Sequence, residues 1–452
     1  KREEYRAQRV DEYVSKISAK TAPRWLKLAQ RCAAVESEDL ATFPAFHRFL
    51  AKVGEEKPAV AESWLGAASK EPLSRFLQNL LRGLALKRPE VVGAFIDTEL
   101  KQKRHVGQIL AFLHTADPLD PALVERAAEG AFEIEDRWPT SLALWLAVER
   151  ADALGAERAR DLFMRALSAA QVRKIDWVYS ASRWKRGALF DALTDEDLEH
   201  VLDALVSISK IEYAAERLLA DVLPRMPEKV VALFGRRQEM EDARRDDPLD
   251  RGYDAIPFRF NKLPEALQAY PQIVIDQAWE WTKANPKLSE FKGPAFVARI
   301  FKEWSKDIEA ALWALFQSGD EAKRDFVFKV LNRYENLPSI HPLLRNIVAL
   351  VGSDEDRLDD VRTALRHTGV MWGEFGSANA YRAKNTLLEA WLADERPAVA
   401  AFARKVMREF DNTIAAEQRR AEEDLAMRRL DYDEAPKRPD DKDKIRDDNE
   451  EE

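Results

Sequence analysis

Three glycines, Gly369, Gly373 and Gly376, fall within "HTGVMWGEFGSAN" (367–379), in a chain with only 16 glycines among 452 residues. Glycine-dense loops can cradle phosphate, because the backbone approaches the ligand closely and offers it N–H groups. The spacing here is GxxxGxxG, unlike the GxGxxG of a dinucleotide fold or the GxxxxGK[ST] of a P-loop, and no apolar strand precedes it. "DRLDDVRTALRHTG" before it and "SANAYRAKNTLLEAWL" after it both have helical periodicity. The pattern predicts an inter-helix joint, with Gly369 as the C-cap after Arg366 and His367 and with Ser377 capping the next helix. Met371, Trp372 and Phe375 are expected to tuck into the seam, leaving Glu374 exposed to touch a partner rather than a phosphate.

A second stretch, "IDWVYSASRWKRG" (175–187), interleaves aromatics with Arg183, Lys185 and Arg186, chemistry that could stack a base or clamp a phosphate. Trp177, Ala181 and Trp184 recur at helical spacing, however, which favours a core stripe with the basic residues solvated. The candidate partner-binding residues are therefore Trp372, Glu374 and Phe375, together with Trp184, Lys185 and Arg186.

Other chemistry finds no support. The six histidines (His47, His105, His114, His200, His341 and His367) form no HExxH and no cluster at metal-ligand spacing, so a structural role is expected for them. No GxSxG elbow occurs, no glycine is followed by lysine, and Cys32 in "LAQRCAAV" suits a small buried helix position. The expectation is a protein that is not an enzyme and that has no catalytic residue, cofactor or metal of its own.

These residues must be positioned by helices. Ala, Leu, Glu and Arg recur throughout, apolar residues make up 46% and charged residues 33%, and apolar positions repeat at three and four almost everywhere, as in "ARDLFMRALSAA". No sustained period-two stretch bounded by hairpin turns appears. An all-α protein follows. A degenerate signature opens many of its helices: "KPAVAESWL", "RPEVVGAFI", "DPALVERAA", "MPEKVVALF", "YPQIVIDQAW" and "RPAVAAFAR" each put Pro near the first helical position, where its missing N–H costs nothing. Units of two antiparallel helices recurring in this way predict an α-solenoid of stacked pairs, about ten by typical repeat length.

The expected organisation is an N-terminal helical-repeat half (1–243), an irregular loop (244–264) and a C-terminal half (265–413). A charged helix (414–432) and a disordered acidic tail (433–452) complete it. The charged helix carries i,i+4 pairs, Arg419 with Glu423, Arg420 with Asp424 and Asp424 with Arg428, and is expected to project into solvent.

Net charge is −9, of which the segment from Asp431 to Glu452 supplies −6 through 11 acids and 5 bases, leaving about −3 on the body. That balance argues against a nucleic-acid partner and favours a protein partner. One cysteine permits no internal disulfide, and neither an 18-residue apolar run nor a secretory leader is visible, so the expectation is a cytoplasmic chain with no membrane span. Because the sequence starts at Lys1 inside an amphipathic pattern, "KREEYRAQRVDEYVSKI", it is expected to be a fragment. Oligomeric state is left open.

"LLEAWLADERPAVAAFARKVM" resembles the HEAT/ARM-like pattern, in which a turn Asp (Asp394) and a Pro (Pro397) precede Val399 and a small buried Ala403. The segment from "GVMWGEFGSANAYRAKNTLLEAWLADERPAVAAFARKVMREFD" through "IAAEQRRAEEDLAMRRLDYDE" is similar to the C-terminal end of large bacterial ATPases of the STAND/NACHT kind, associated with antiviral defence. That resemblance implies a sensing arm whose chemistry resides in another module. Two alternatives stay open: a nucleic-acid-binding HEAT-like module similar to the alkylation-repair glycosylases, and an enzyme with an unrecognised helical active site.

Overall fold

A computed structural model describes residues 1–36, 43–183, 187–244, 252–284, 292–334, 337–366 and 372–434. Among them every regular element is a helix. The chain divides into two compact units, Lys1–Ala266 and a second beginning at Leu267.

In the first unit the helices are α1 (Arg2–Ser15), α2 (Ala22–Ala33), α3 (Pro44–Glu56), α4 (Pro58–Ala68), α5 (Leu77–Ala85), α6 (Pro89–Lys101), α7 (Val106–Thr115) and α8 (Pro121–Glu133). They continue as α9 (Arg137–Glu149), α10 (Ala151–Leu154), α11 (Ala156–Val172), α12 (Val178–Ala181), α13 (Ala188–Ala192), α14 (Asp195–Ser207), α15 (Tyr213–Val222) and α16 (Pro227–Arg244). Two layers result. In one, α1, α3, α5, α7, α9, α12 and α15 each pack on the next; in the other, α6, α8, α11, α14 and α16 do the same. This is the α-solenoid architecture: no helix can bury its apolar stripe alone, and each does so against its pair and the preceding repeat.

Two sequence features fix this packing locally. Pro58, Pro89, Pro121 and Pro227 each open a helix, as the repeated signature predicts, and the Asp120 side chain accepts from Ala122 N at 3.0 Å to cap α8. Gly54 on α3 and Gly83 on α5 let those helices cross backbone to backbone: a Cβ on Gly83 would stand 1.7 Å from the Ala51 carbonyl oxygen.

A third feature is an arginine device. A helix leaves its last carbonyls without partners, and here arginines from further along the chain cap them. Arg150 donates to His114 O (2.6 Å) and Ala116 O (2.9 Å) at the end of α7. Arg173 donates to Phe132 O and Ile134 O at the end of α8, and Arg75 to Ala33 O and Val35 O at the end of α2. Arg237 is the extreme case. Fully buried on α16, it serves Leu205 O (2.8 Å), Val206 O (3.1 Å) and Ile208 O (2.7 Å) at the end of α14, and reaches Asp254 O (2.7 Å) and Ala255 O (3.1 Å).

Within the segment expected as an irregular loop, 245–251 lie outside the described residues, while 252–262 are non-helical and tied to the first unit. Tyr253, Ala255 and Phe260 are buried, Tyr253 Oη donates to Val206 O at 2.6 Å, and the buried Glu216 carboxylate accepts from Asn261 N (2.7 Å) and Lys262 N (2.9 Å). The short α17 (Leu263–Leu267) follows.

The second unit contains α18 (Pro271–Ala284), α19 (Lys292–Ile300), α20 (Lys306–Gln317), α21 (Glu321–Leu331), α22 (His341–Val351), α23 (Glu355–Arg366), α24 (Gly376–Leu392) and α25 (Pro397–Glu434). Again one layer runs α18, α20, α22 and the other α19, α21, α23, with the hairpin of α24 and α25 packed on α22. The HEAT-like turn takes the expected form. Asp394 accepts from Arg396 N (3.0 Å), Arg396 Nε (2.8 Å) and Arg345 Nε (2.8 Å), and Val399, Ala403 and Val406 are buried behind it.

The end of the chain departs from expectation in two ways. A boundary at 413/414 falls inside one uninterrupted helix, α25. Nor does its charged part project freely: Ala421 is buried, Arg382 donates to Gln418 at 2.5 Å, and Arg428 reaches Glu374 at 3.2 Å rather than Asp424. Ala378 on α24 and Ala421 on α25 are both buried, and the two helices pack along each other. Residues 435–452, most of the expected tail, lie outside the described residues.

Candidate functional site

Residues 372–375, the described part of the glycine-rich joint, form a bend whose first three residues are exposed. Gly369 and Met371 lie outside the described residues; Gly373 has φ +84° and its carbonyl accepts from Gly376 N at 3.0 Å. Two expectations are corrected here. Trp372 does not tuck into the seam but is 86% exposed, because the bend that brings Glu374 to Arg428 carries it outward. Ser377 is not the cap, since α24 already begins at Gly376 with Phe375, partly buried, at the cap position. Trp372, Glu374 and Phe375 are together at this bend, and the Glu374 carboxylate is already engaged by Arg428.

Of the second candidate set, Trp184, Lys185 and Arg186 lie outside the described residues. Trp177 and Ala181 are buried as a core stripe requires. Arg183 is not merely solvated: it donates to Glu149 Oε1 at 2.6 Å and stacks on Trp145 (4.8 Å) and Tyr179 (5.2 Å). His114 joins the same carboxylate at 2.9 Å. Burial pushes the Glu149 carboxyl up, but the Arg183 hydrogen bond and the His114 contact outweigh it and hold it below its ordinary value. This cluster links α7, α9 and α12 across three repeats.

Beside it opens a cleft of about 730 Å³, within the size range of ligand sites. The turn after α11 and the turn after α14 form its walls. Ile175, Val178 and Ile208 supply apolar surface; Lys174, Lys210 and Arg244 supply cations; Asp176 and Glu212 supply carboxylates. Lys174 sits at φ +53°, left-handed backbone that a residue with a Cβ adopts at some cost. Glu212 stands at the N-cap of α15 without a side-chain bond to the helix, and Ala214 and Ala215 of its first turn line the cleft. Sequence reasoning missed this cleft. Its residues come from turns about 35 positions apart, and the one available signal was lysine, instead of the usual glycine or asparagine, at a helix C-terminus.

Among the described residues no group of three or more His, Cys, Asp or Glu side chains is placed to hold a metal ion, and no helix is long and apolar enough to cross a membrane. Histidines engage locally: His200 pairs with Gln171 at 3.1 Å, and His341 packs edge-on against Trp391 at 5.5 Å. Burial, aided by the Lys384 charge, pushes the pKa of His341 down to about 4.

With two layers of serially packed helices in each unit, the chain is a helical repeat protein. No family model matches it, and no curated protein matches its sequence. Solved structures similar to it include an engineered protein from a structural genomics consortium, 13% identical, covering 85% of this chain and 98% of that chain at a TM-score of 0.20. Another is a circular tandem repeat protein with novel repeat topology and enhanced subunit contact surfaces, 15% identical, covering 94% of this chain and 90% of that chain at a TM-score of 0.17. The fold assignment rests on the helix packing above, not on these two.

Proposed function

We propose that the chain is a non-catalytic α-solenoid scaffold or recognition arm that binds a protein partner. One observation carries the reading: a wall of stacked repeats presents the cleft beside the exposed Tyr179, an amphipathic surface of the kind protein interfaces favour. The charge pattern supports it. In the layer of α6, α8, α11, α14 and α16, cations are neutralised from one repeat to the next, as in Arg126 with Asp97 (2.8 Å), Arg160 with Asp197 (2.5 Å) and Arg236 with Asp203 (2.7 Å). Pairing of this kind weakens the hold such a layer could have on a phosphate backbone.

The finer reading is a cytoplasmic sensing arm of a larger bacterial ATPase of the STAND/NACHT kind, acting in antiviral defence; the resemblance of the glycine-rich bend, the HEAT-like turn and α25 supports it. Trp372, Glu374 and Phe375 would then be a second contact point. The test is chemical cross-linking and affinity capture by the full chain, compared with Trp372→Ala and Tyr179→Ala. A discrete protein captured by the wild type and lost from either variant is expected. Salt-sensitive binding of DNA or RNA in its place would sink the reading.

A further inference from the structure

We infer that the cleft binds an extended peptide segment of the partner through a carboxylate, with Lys174 as the group that receives it. The inference rests on the protein-binding reading above and names the chemistry the partner must present.

The argument is an internal comparison. Lys103 stands two residues after α6 and Lys174 two residues after α11, both with left-handed backbone, φ +54° and +53°. Their turns close through the same pair of hydrogen bonds: Lys103 N to Leu100 O (3.0 Å) with Arg104 N to Glu99 O (2.9 Å), and Lys174 N to Gln171 O (3.1 Å) with Ile175 N to Ala170 O (2.9 Å). In each case the next helix in the layer packs alongside, α8 on α6 and α14 on α11. The lysine's partner differs. The last residue of α8 is Glu133, whose carboxylate holds Lys103 Nζ at 2.6 Å; the last residue of α14 is Ser207, and Lys174 enters no ion pair among the described residues. The repeat thus keeps the strained lysine and omits its carboxylate at the one of these two positions that opens onto the cleft.

The surroundings suit a ligand that supplies the missing group. Among the described residues Lys210, across the cleft, also enters no ion pair, and the N-terminus of α15 adds partial positive charge. Ile175, Val178 and Ile208 offer a surface for an apolar side chain next to the carboxylate. Asp176 and Glu212 on the same lining repel a polyanion, which separates a peptide with a single acid from a nucleic acid.

Ser207→Glu is the decisive variant: Ser207 lines the cleft, and the change installs there the carboxylate that Glu133 provides to Lys103. Full-length wild type, Ser207→Glu and Lys174→Glu are each used to select a phage-displayed library of random dodecapeptides. Peptides enriched on the wild type are expected to pair Asp or Glu with an aliphatic or aromatic neighbour. The leading one, made synthetically and followed by fluorescence anisotropy, should bind Ser207→Glu and Lys174→Glu about tenfold or more weakly. Ser207→Glu should melt no lower than the wild type, so lost binding is not lost folding. Equal binding to all three proteins, enrichment without acidic residues, or no enrichment at all overturns the inference. So does a single-stranded oligothymidine that binds the wild type and fails on Lys174→Glu. Persistence of cross-linked partner capture through any of these failures would leave the scaffold reading standing and move its interface elsewhere.

Discussion

Replacing Arg237 with Met tests the claim that buried arginines hold consecutive repeats together. The side chain is 0% exposed, and its guanidinium donates to Leu205 O, Val206 O, Ile208 O, Asp254 O and Ala255 O while lying 4.6 Å from the Tyr253 ring. Burial pulls its pKa down, yet arginine keeps its proton in proteins, so the full set of donors is present. Met fills similar space and donates nothing. Not every carbonyl is then stranded: Val206 O keeps the Tyr253 hydroxyl, and Ile208 and Asp254 are near enough to the surface to take water. Leu205 O and Ala255 O belong to buried residues, and each orphaned acceptor costs about 1–3 kcal/mol. Relief from desolvating a guanidinium offsets part of that, leaving about 2–4 kcal/mol. For a unit of this size, that is a fall of roughly 4–12 °C in melting temperature by differential scanning calorimetry. Hydrogen exchange at the end of α14 and at 253–255 should accelerate with it, and Arg237→Lys, with fewer donors, should fall between. A Met variant that melts within about 1 °C of the wild type would refute the reasoning.

Three further outcomes are expected. His341 has a folded-state pKa near 4 against an ordinary 6.5, so the unfolded chain binds the proton more readily and stability falls as pH drops from 6.5 to 4, by up to about 3 kcal/mol. Urea titrations at several pH values should show that slope in the second unit, and His341→Phe should flatten it. Gly83→Ala should destabilise the first unit by about 1–3 kcal/mol or more in denaturant melts, since its methyl would meet the Ala51 carbonyl at 1.7 Å. Asp394→Asn should lower the melting temperature of the second unit by several degrees. Hydrogen bonds from Arg396, and after them Arg345, hold that carboxyl far below the usual range, so its contribution is present at neutral pH and is lost only in strong acid.

Much of the architecture was legible because its causes are local. Proline at the first helical position acts on one turn, and Pro58, Pro89, Pro121, Pro227, Pro271 and Pro397 all open helices. The Asp394 turn was readable for the same reason: its hydrogen bonds to Arg396 span two residues. Candidate site residues were less legible. Trp372 was expected in a seam, since apolar character predicts burial on average but not which way a glycine bend will point. Arg183 looked solvated because its partners, Glu149 and Trp145, come from an earlier repeat.

Composition and periodicity determined that this chain is helical, that its helices come in pairs, and roughly where they begin, since each follows from the backbone preferences and apolar spacing of neighbouring residues. Tertiary structure alone decided which charges cancel. Whether a lysine after a helix finds Glu133 or Ser207 depends on a helix about 30 residues away, and only the stacking of one repeat on the next brings that position to it.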